Sequence, residues 1–206
     1  MFMKNAKDYY DKKAPELAET WYPNETLLPI LREFLDLVKT PKNPQILDLG
    51  CGAGYESMRM KSLGAKVTGL DFSEESINIA KEKIPHIHFV VEDVLNDYTY
   101  LGQFDGAVCI SIFVHIPNEL LEKCFANLSR ALKKGAPVFI LVKDGTGKDE
   151  KASFTEINNE KYDINFYNHT LDELREYSKE NFEFIKKSMH RRDENDLWRY
   201  YFFRKK

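Results

Sequence analysis

Short apolar runs alternate with longer stretches of helical periodicity through the middle of the chain. Five apolar runs have the length and composition of buried strands: residues 45–49, 66–70, 87–91, 104–110 and 137–142. Three intervening stretches repeat apolar side chains every three or four positions: residues 55–63, 74–83 and 118–132. Strands that alternate with helices in this way form a parallel sheet with helices on both faces. The pattern therefore predicts a doubly wound α/β domain.

The N-terminal flank of this core is predicted to be helical. Residues 6–39 form two helical pieces that break at residues 21–24, and prolines at 41 and 44 end the second piece. Within the core, Ser73 stands directly before two glutamates and a helical pattern, so it is a candidate N-cap. We interpret the flank as an appendage of one domain, because 206 residues leave little room for two.

The C-terminal flank is more polar. Residues 143–161 are predicted as a polar loop, and a helix is predicted at residues 171–179. Two strand-like runs follow, at residues 182–189 and 197–203. Because they come one after the other at the end of the chain, we expect them to pair antiparallel at the edge of an otherwise parallel sheet.

A glycine-rich turn, Gly50-Cys51-Gly52-Ala53-Gly54, follows the first predicted strand and precedes a helix. Doubly wound folds bind ligands at this edge of the sheet, and glycines let a ligand lie against the backbone. Asp71 ends the second predicted strand, 21 residues after Gly50, where a carboxylate can accept both ribose hydroxyls of an adenosine. The turn and the acid together predict a site for a cofactor that contains adenosine.

The glycine spacing separates two kinds of cofactor. A dinucleotide fingerprint requires GxGxxG, whereas Gly54 comes one residue early and Tyr55 takes the place of the third glycine. Asp48, at the end of the first strand, suits a ligand with an ammonium group better than one with two phosphates. Asp93, after the third strand, can accept a hydrogen bond from an exocyclic amine, while Phe72 and Val94 flank the base. Amino acid, ribose and adenine together describe S-adenosylmethionine.

Each of the three acids also has an ordinary structural role open to it. Asp48 can cap a turn, Asp71 can replace Ser73 as the helix cap, and Asp93 can begin a loop. An NAD-type oxidoreductase remains the alternative enzyme, with the early third glycine as the feature against it. A nonenzymatic domain that binds the cofactor as a sensor or partner subunit is a further alternative.

The sequence resembles the class I S-adenosylmethionine-dependent methyltransferases of the small-molecule type. The resemblance lies in residues 47–54, 69–73 and 92–94, and it extends to residues 104–108 and 132–136. It implies a Rossmann-like, mostly parallel seven-stranded sheet with an antiparallel last strand, and S-adenosyl-L-methionine as the cofactor. It also implies a single domain, 1–206, in three parts: an N-terminal helical lid (1–43), a cofactor-binding core (44–143), and a substrate-side insertion with the C-terminal strands (144–206).

The candidate site residues follow from the motifs and from this resemblance. His115 is the candidate catalytic base, although a structural histidine before the helix at Pro117 is an equal alternative. Tyr167 and His169 are weaker candidates for a substrate pocket. The candidate cofactor-binding residues are Asp48, Gly50, Cys51, Gly52, Gly54, Asp71, Phe72, Asp93, Val94, Ser111 and Tyr10.

The expected reaction is in-line transfer of a methyl group to an oxygen, nitrogen or sulfur nucleophile of a small molecule. Nucleic acid is disfavoured as a substrate because the net charge is −3, and because Ser111-Ile112-Phe113-Val114 replaces the Asn/Asp-Pro-Pro-aromatic tetrad of related amino-group methyltransferases. The three cysteines have no CxxC spacing, so we expect no metal site. Without a signal peptide or an apolar run of about 20 residues, we expect no membrane association and a cytoplasmic protein. The sequence pattern identifies neither the oligomeric state nor the molecule that accepts the methyl group.

Overall fold

The computed structural model describes residues 2–39, 42–151, 153–157, 160–188 and 197–206. Its helices are α1 (Phe2–Trp21), α2 (Leu28–Asp36), α3 (Tyr55–Ser62), α4 (Glu74–Lys83), α5 (Asn118–Ala131) and α6 (Leu171–Ser178). Its strands are β1 (Gln45–Leu49), β2 (Lys66–Asp71), β3 (His88–Val91), β4 (Gly106–Ile110), β5 (Pro137–Lys143), β6 (Gly147–Lys148), β7 (Phe154–Ile157), β8 (Glu160–Asp163), β9 (Tyr167–Asn168), β10 (Phe182–Lys187) and β11 (Trp198–Lys205).

Seven of these strands form one sheet in the order β10-β11-β5-β4-β1-β2-β3. The strands from β5 to β3 pair in parallel, whereas β11 is antiparallel to both of its neighbours. The doubly wound fold and the antiparallel C-terminal pair are therefore confirmed. The predicted strand at residues 182–189 ends at Lys187, and Met189 lies outside the described part of the chain.

Both faces of the sheet are buried, as the apolar runs predicted. On β5, Val138, Ile140 and Val142 belong to the core beneath α5 and α6, whereas Phe139 and Leu141 belong to the core beneath α2, α3 and α4. Alternate side chains of one strand therefore point into two different cores, because successive residues of a strand face opposite sides of the sheet. Because helices cover both faces of the sheet, we expect a ligand cleft at the carboxyl edge of the parallel strands.

Helix α4 begins where its polar cap predicts. The Ser73 hydroxyl accepts a hydrogen bond from the Ser76 amide at 3.1 Å, which confirms Ser73 as the N-cap of α4. The predicted break at residues 21–24 separates α1 from α2. Among the described helices, none is long and apolar enough to cross a membrane.

Residues 143–161 were predicted as a polar loop, and this prediction is wrong in part. The segment carries β6 and β7, which pair antiparallel with β9 and β8 to give two small sheets. These strands are short, and β8 begins with the exposed residues Glu160 and Lys161, so no apolar run in the sequence predicted them. The β7–β8 hairpin contacts α1, where Tyr9 packs edge-on against Tyr162 and Lys12 bonds to Glu160.

Candidate functional site

A cleft opens at the carboxyl ends of β1, β2 and β4, where the strand order reverses between β1 and β4. Doubly wound sheets bind ligands at this position. Helix α1 and the following turn cover one side of it, and the segments after β4 and β5 form the other side. Its lining is Tyr10, Ala14, Leu17, Trp21, Thr26, Leu27, Gly50, Gly52, Ala53, Tyr55, Glu56, Asp71, Phe72, Ser76, Ile110, Ser111, Ile112, Val114, His115, Leu141, Phe166 and Trp198.

The glycine turn has a conformation that other residues rarely adopt. Gly50 and Gly54 have φ angles of +75° and +82°. A Cβ on Gly50 would lie 2.9 Å from the Cβ of Ile112, and one on Gly54 would lie 2.7 Å from the ring of Phe89. The turn is therefore fixed by backbone geometry and by close packing on both sides, and its backbone at Gly50 and Gly52 faces the cleft.

Asp71 is held at the cleft by two backbone groups. Its Oδ2 accepts a hydrogen bond from the Gly52 amide at 2.8 Å, and its Oδ1 accepts one from the Ser73 amide at 2.9 Å. Burial raises the pKa of this carboxyl to about 6, so it is ionised at neutral pH. Each oxygen retains a lone pair for a ligand, since a carboxylate can accept about four hydrogen bonds. Asp71 therefore presents a fixed, charged acceptor to the cleft.

Asp48 does not face the cleft. It is 1% exposed, its Oδ2 accepts a hydrogen bond from the Ser57 hydroxyl at 2.5 Å, and burial raises its pKa to about 7. Asp93 also lies outside the cleft lining, and its Oδ1 accepts from the Leu95 amide at 2.8 Å in a local turn. The cleft lining thus includes Tyr10, Gly50, Gly52, Asp71, Phe72, Ser111 and His115 of the predicted set, but not Asp48, Cys51, Gly54, Asp93 or Val94.

The segment after β4 begins with a strained residue. Ser111 has a φ of +58°, which is unusual for a residue with a side chain, and its amide donates to the Leu141 carbonyl at 3.0 Å. A single 3₁₀ turn, Phe113–His115, follows it and is buried. This turn places His115 at the cleft, with its ring 4.6 Å from that of Phe166.

His115 is hydrogen-bonded to Tyr10, whose Oη lies 2.8 Å from Nε2. Burial lowers the pKa of His115 to about 4, and the nearby backbone of Ile164 and Asn165 only partly offsets this decrease. The imidazole is therefore neutral at pH 7. Burial also raises the pKa of Tyr10, so the phenol keeps its proton, and in the tautomer whose Nε2 is unprotonated it donates a hydrogen bond to Nε2. The other ring nitrogen, Nδ1, is buried and makes no hydrogen bond of ordinary geometry.

The other candidate histidine, His169, does not line the cleft. It is fully buried, with Nε2 at 2.8 Å from the Phe113 carbonyl and Nδ1 at 3.1 Å from Oδ1 of Asn118. It therefore supports the turn that carries His115. Tyr167, on β9, also lies outside the cleft lining.

Sequence reasoning missed a buried ion pair beside the cleft. Glu56 lines the cleft, and its Oε1 lies 3.1 Å from Nη1 of Arg59. Nη2 of Arg59 donates to the carbonyls of Trp21 and Tyr22, at 2.6 Å and 3.0 Å, and so ties the end of α1 to α3. In the sequence, Glu56 looks like an ordinary acid in the first turn of a helix, so nothing marked it as a cleft residue.

The comparisons with known proteins point to one family. Residues 46–135 match the model of a methyltransferase domain. A ubiquinone biosynthesis O-methyltransferase from Dechloromonas aromatica (strain RCB) is 31% identical over 154 residues, which cover 67% of this chain and 64% of that protein. The chain thus spans slightly less than two thirds of the length of this relative.

Solved structures share the fold at low sequence identity. Magnesium protoporphyrin IX methyltransferase from Synechocystis PCC 6803, with bound S-adenosylhomocysteine, has a TM-score of 0.76 at 15% identity, and the match covers 100% of both chains. A 1,6-didemethyltoxoflavin-N1-methyltransferase from Burkholderia thailandensis has a TM-score of 0.73 at 17% identity, over 99% of this chain and 88% of that one.

The fold and the cleft define a Rossmann-like domain with a ligand site at its topological switch point. Together with the methyltransferase-domain model that matches residues 46–135, they confirm the predicted resemblance to the class I S-adenosylmethionine-dependent methyltransferases. The cofactor of this family is S-adenosyl-L-methionine, as predicted.

Proposed function

We propose that this protein transfers the methyl group of S-adenosylmethionine to an oxygen, nitrogen or sulfur nucleophile of a small molecule. The observation that carries the proposal is that the glycine turn, Asp71 and His115 all line one cleft. A cofactor held by the glycine turn and Asp71 has its reactive end within reach of His115. When bound, S-adenosylmethionine supplies a methyl group on a sulfonium, and the main task of the protein is to align the acceptor and exclude water.

The residues of the cleft fit this cofactor. Asp71 offers two fixed acceptors to the ribose hydroxyls, and the backbone at Gly50 and Gly52 allows close approach. Phe72 supplies apolar surface beside Asp71. We assign these residues to cofactor binding, together with Tyr10 and Ser111.

Where the nucleophile that receives the methyl group carries a proton, we assign His115 as the base that takes up this proton. Its ring is neutral at pH 7, and Nε2 bonds to the Tyr10 hydroxyl, which also lines the cleft. Because Nδ1 is buried, a proton that leaves the acceptor reaches Nε2 through the Tyr10 hydroxyl. Proton removal of this kind accelerates reactions by about 10²–10⁴-fold.

The lining of the cleft favours an uncharged acceptor with an apolar or aromatic body. The lining includes the apolar and aromatic residues Val114, Leu141 and Trp198, and the ring of Phe166 lies 4.6 Å from that of His115. The described lining residues include the acids Glu56 and Asp71 but no lysine or arginine that could attract an anionic substrate. A relative named as an O-methyltransferase supports oxygen as the accepting atom.

Helix α1 and the rest of residues 1–43 serve as a lid in this proposal. Oδ1 of Asp11 accepts a hydrogen bond from the Ser73 hydroxyl at 2.7 Å, next to the proposed ribose site. Lys12 bonds to Glu160 and Tyr162 of β8 on the substrate side. The helix therefore bridges the core (44–143) and the insertion (144–206).

An acceptor screen tests the proposal. The purified protein is incubated with S-adenosylmethionine carrying a labelled methyl group and with phenols, catechols, amines and thiols of low molecular mass. We expect label in an uncharged phenolic or catecholic product, and the His115→Gln variant to lose this activity. The exposed His88 provides the matched control, His88→Gln. Tight cofactor binding without label in any product would favour the nonenzymatic alternative.

A further inference from the structure

Glu56 has an unsatisfied carboxylate oxygen at the cleft. The residue is 4% exposed, and its Oε2 makes no hydrogen bond. Asp71, the other acid of the lining, has a backbone donor on each of its oxygens. A buried polar atom without a partner is costly, and it is uncommon in native structures. Oε2 is therefore a position where a ligand donor is expected.

The single partner of Glu56 leaves this oxygen free for a ligand. Arg59 pairs with Oε1, and Nη2 of the same guanidinium is engaged by the carbonyls of Trp21 and Tyr22. The pair is anchored to α1 and held in place. Burial raises the pKa of Glu56 to about 7, and a cation at Oε2 would keep the carboxylate ionised.

We infer that Oε2 of Glu56 binds the ammonium group at the amino-acid end of the cofactor. This inference rests on the cofactor of the proposed function. Asp71 comes from the end of β2 and Glu56 from the first turn of α3, so a ligand that contacts both passes over the glycine turn between them. In the proposed function, the sulfonium of the cofactor lies near His115, on the side of the cleft where the methyl acceptor binds. The ammonium is the other cationic group of the cofactor, and it is therefore the one available to Glu56.

The predicted partner of the ammonium was Asp48, and the structure favours Glu56 instead. Asp48 lies outside the cleft lining and accepts a hydrogen bond from Ser57. Glu56 lines the cleft and has the free oxygen. The unsatisfied oxygen and the place in the cleft lining therefore favour the acid of the helix over the acid of the strand.

Calorimetric titration with two ligands tests the inference. S-adenosylhomocysteine carries the ammonium, whereas 5′-methylthioadenosine has the same adenosine and a thioether but no amino acid. In the Glu56→Gln variant, we expect the affinity for S-adenosylhomocysteine to fall about tenfold or more, because a charge-assisted hydrogen bond is lost. The affinity for 5′-methylthioadenosine should stay within about twofold. The control is Glu82→Gln, at an exposed position on α4, which should change neither affinity.

The outcomes separate this inference from the proposed function. If the wild type does not bind S-adenosylhomocysteine, the proposed function fails. If the wild type binds it and Glu56→Gln binds both ligands like the wild type, or weakens both equally, the inference alone is overturned. Should Glu56→Gln fail to fold, the double variant Glu56→Gln, Arg59→Gln removes the pair as a unit. The same selective loss is expected there, and an equal loss for both ligands overturns the inference.

Discussion

The phenol of Tyr10 and the imidazole of His115 are hydrogen-bonded at the cleft, with 2.8 Å between Oη and Nε2. Tyr10 belongs to α1 and His115 to the turn after β4, so the bond joins the proposed lid to the proposed base. Tyr10 also packs edge-on against Phe72, beside the acid proposed to hold the ribose. A movement of α1 that admits ligands would therefore change the surroundings of the base and of the cofactor site together.

Substitution of His115 by glutamine is expected to lower kcat by about 10²–10⁴-fold, because the proton acceptor is lost. The affinity for S-adenosylhomocysteine should change by less than about threefold, since the assigned cofactor contacts remain. Steady-state kinetics with an acceptor from the screen, combined with calorimetry, measure the two effects. Full activity in a folded His115→Gln variant would return His115 to a structural role.

Substitution of Asp71 by asparagine is expected to weaken binding of S-adenosylmethionine by about 1–3 kcal/mol. The carboxylate is fixed by the amides of Gly52 and Ser73, and its charge strengthens hydrogen bonds from the ribose hydroxyls. Calorimetry measures the loss, with Asp97→Asn at an exposed position as the control. Unchanged affinity in folded Asp71→Asn would refute the assignment of Asp71 to the ribose.

Asp48 is expected to make the cofactor-free protein less stable as the pH rises from about 4 to about 7. Burial raises its folded pKa to about 7, whereas the unfolded carboxyl titrates near a pKa of about 3.9. Between these values the folded state keeps a proton that the unfolded state has released. Acidification from pH 8 to pH 5 therefore favours the folded state. The raised pKa values of Glu56 and Asp71 act in the same direction, and the lowered pKa of His115 acts in the opposite one.

The Asp48→Asn variant isolates this contribution. An asparagine has no charge to bury and still accepts a hydrogen bond from Ser57. We expect the variant to exceed the wild type in free energy of unfolding by about 2–4 kcal/mol at pH 8, with the difference falling by more than half at pH 5 and vanishing only below the unfolded pKa of about 3.9. Urea denaturation at both pH values gives the difference. An equal change at pH 8 and pH 5 would contradict a raised pKa for Asp48.

Gly54→Ala is expected to destabilise the protein by about 3 kcal/mol. Its φ of +82° disfavours a side chain, and a Cβ would lie 2.7 Å from the ring of Phe89. Gly135 has a similar φ of +80° but no atom within 4 Å of its Cβ position, so Gly135→Ala should cost only about 1 kcal/mol. Denaturant titration compares them, and equal losses would show that packing against Phe89 contributes little.

The fold was largely predictable because its signals are local. Apolar runs of strand length, a helical repeat between them and caps such as Ser73 each depend on neighbouring residues. The strands β6 to β9 escaped prediction because they are short and partly charged, and they pair across the chain rather than by local pattern. Their contacts with α1 arise only in the folded protein.

The place of a candidate residue was predictable only where its position in the fold decides it. Asp71 ends one parallel strand and His115 follows another, and both line the cleft. Asp48 also ends a strand, yet its side chain turns to Ser57, because strand position does not fix which way a terminal side chain points. Glu56 faces the cleft from a helix, where its place in the sequence indicates a solvated first-turn acid.

In this proposal, the cleft holds S-adenosylmethionine between the glycine turn and Asp71. Calorimetric titration of the cofactor-free protein with S-adenosylmethionine, S-adenosylhomocysteine and NAD tests it most directly. We predict micromolar binding of the first two ligands and no measurable binding of NAD. Binding of NAD without binding of either S-adenosyl compound would contradict the claim and favour the nucleotide-cofactor oxidoreductase.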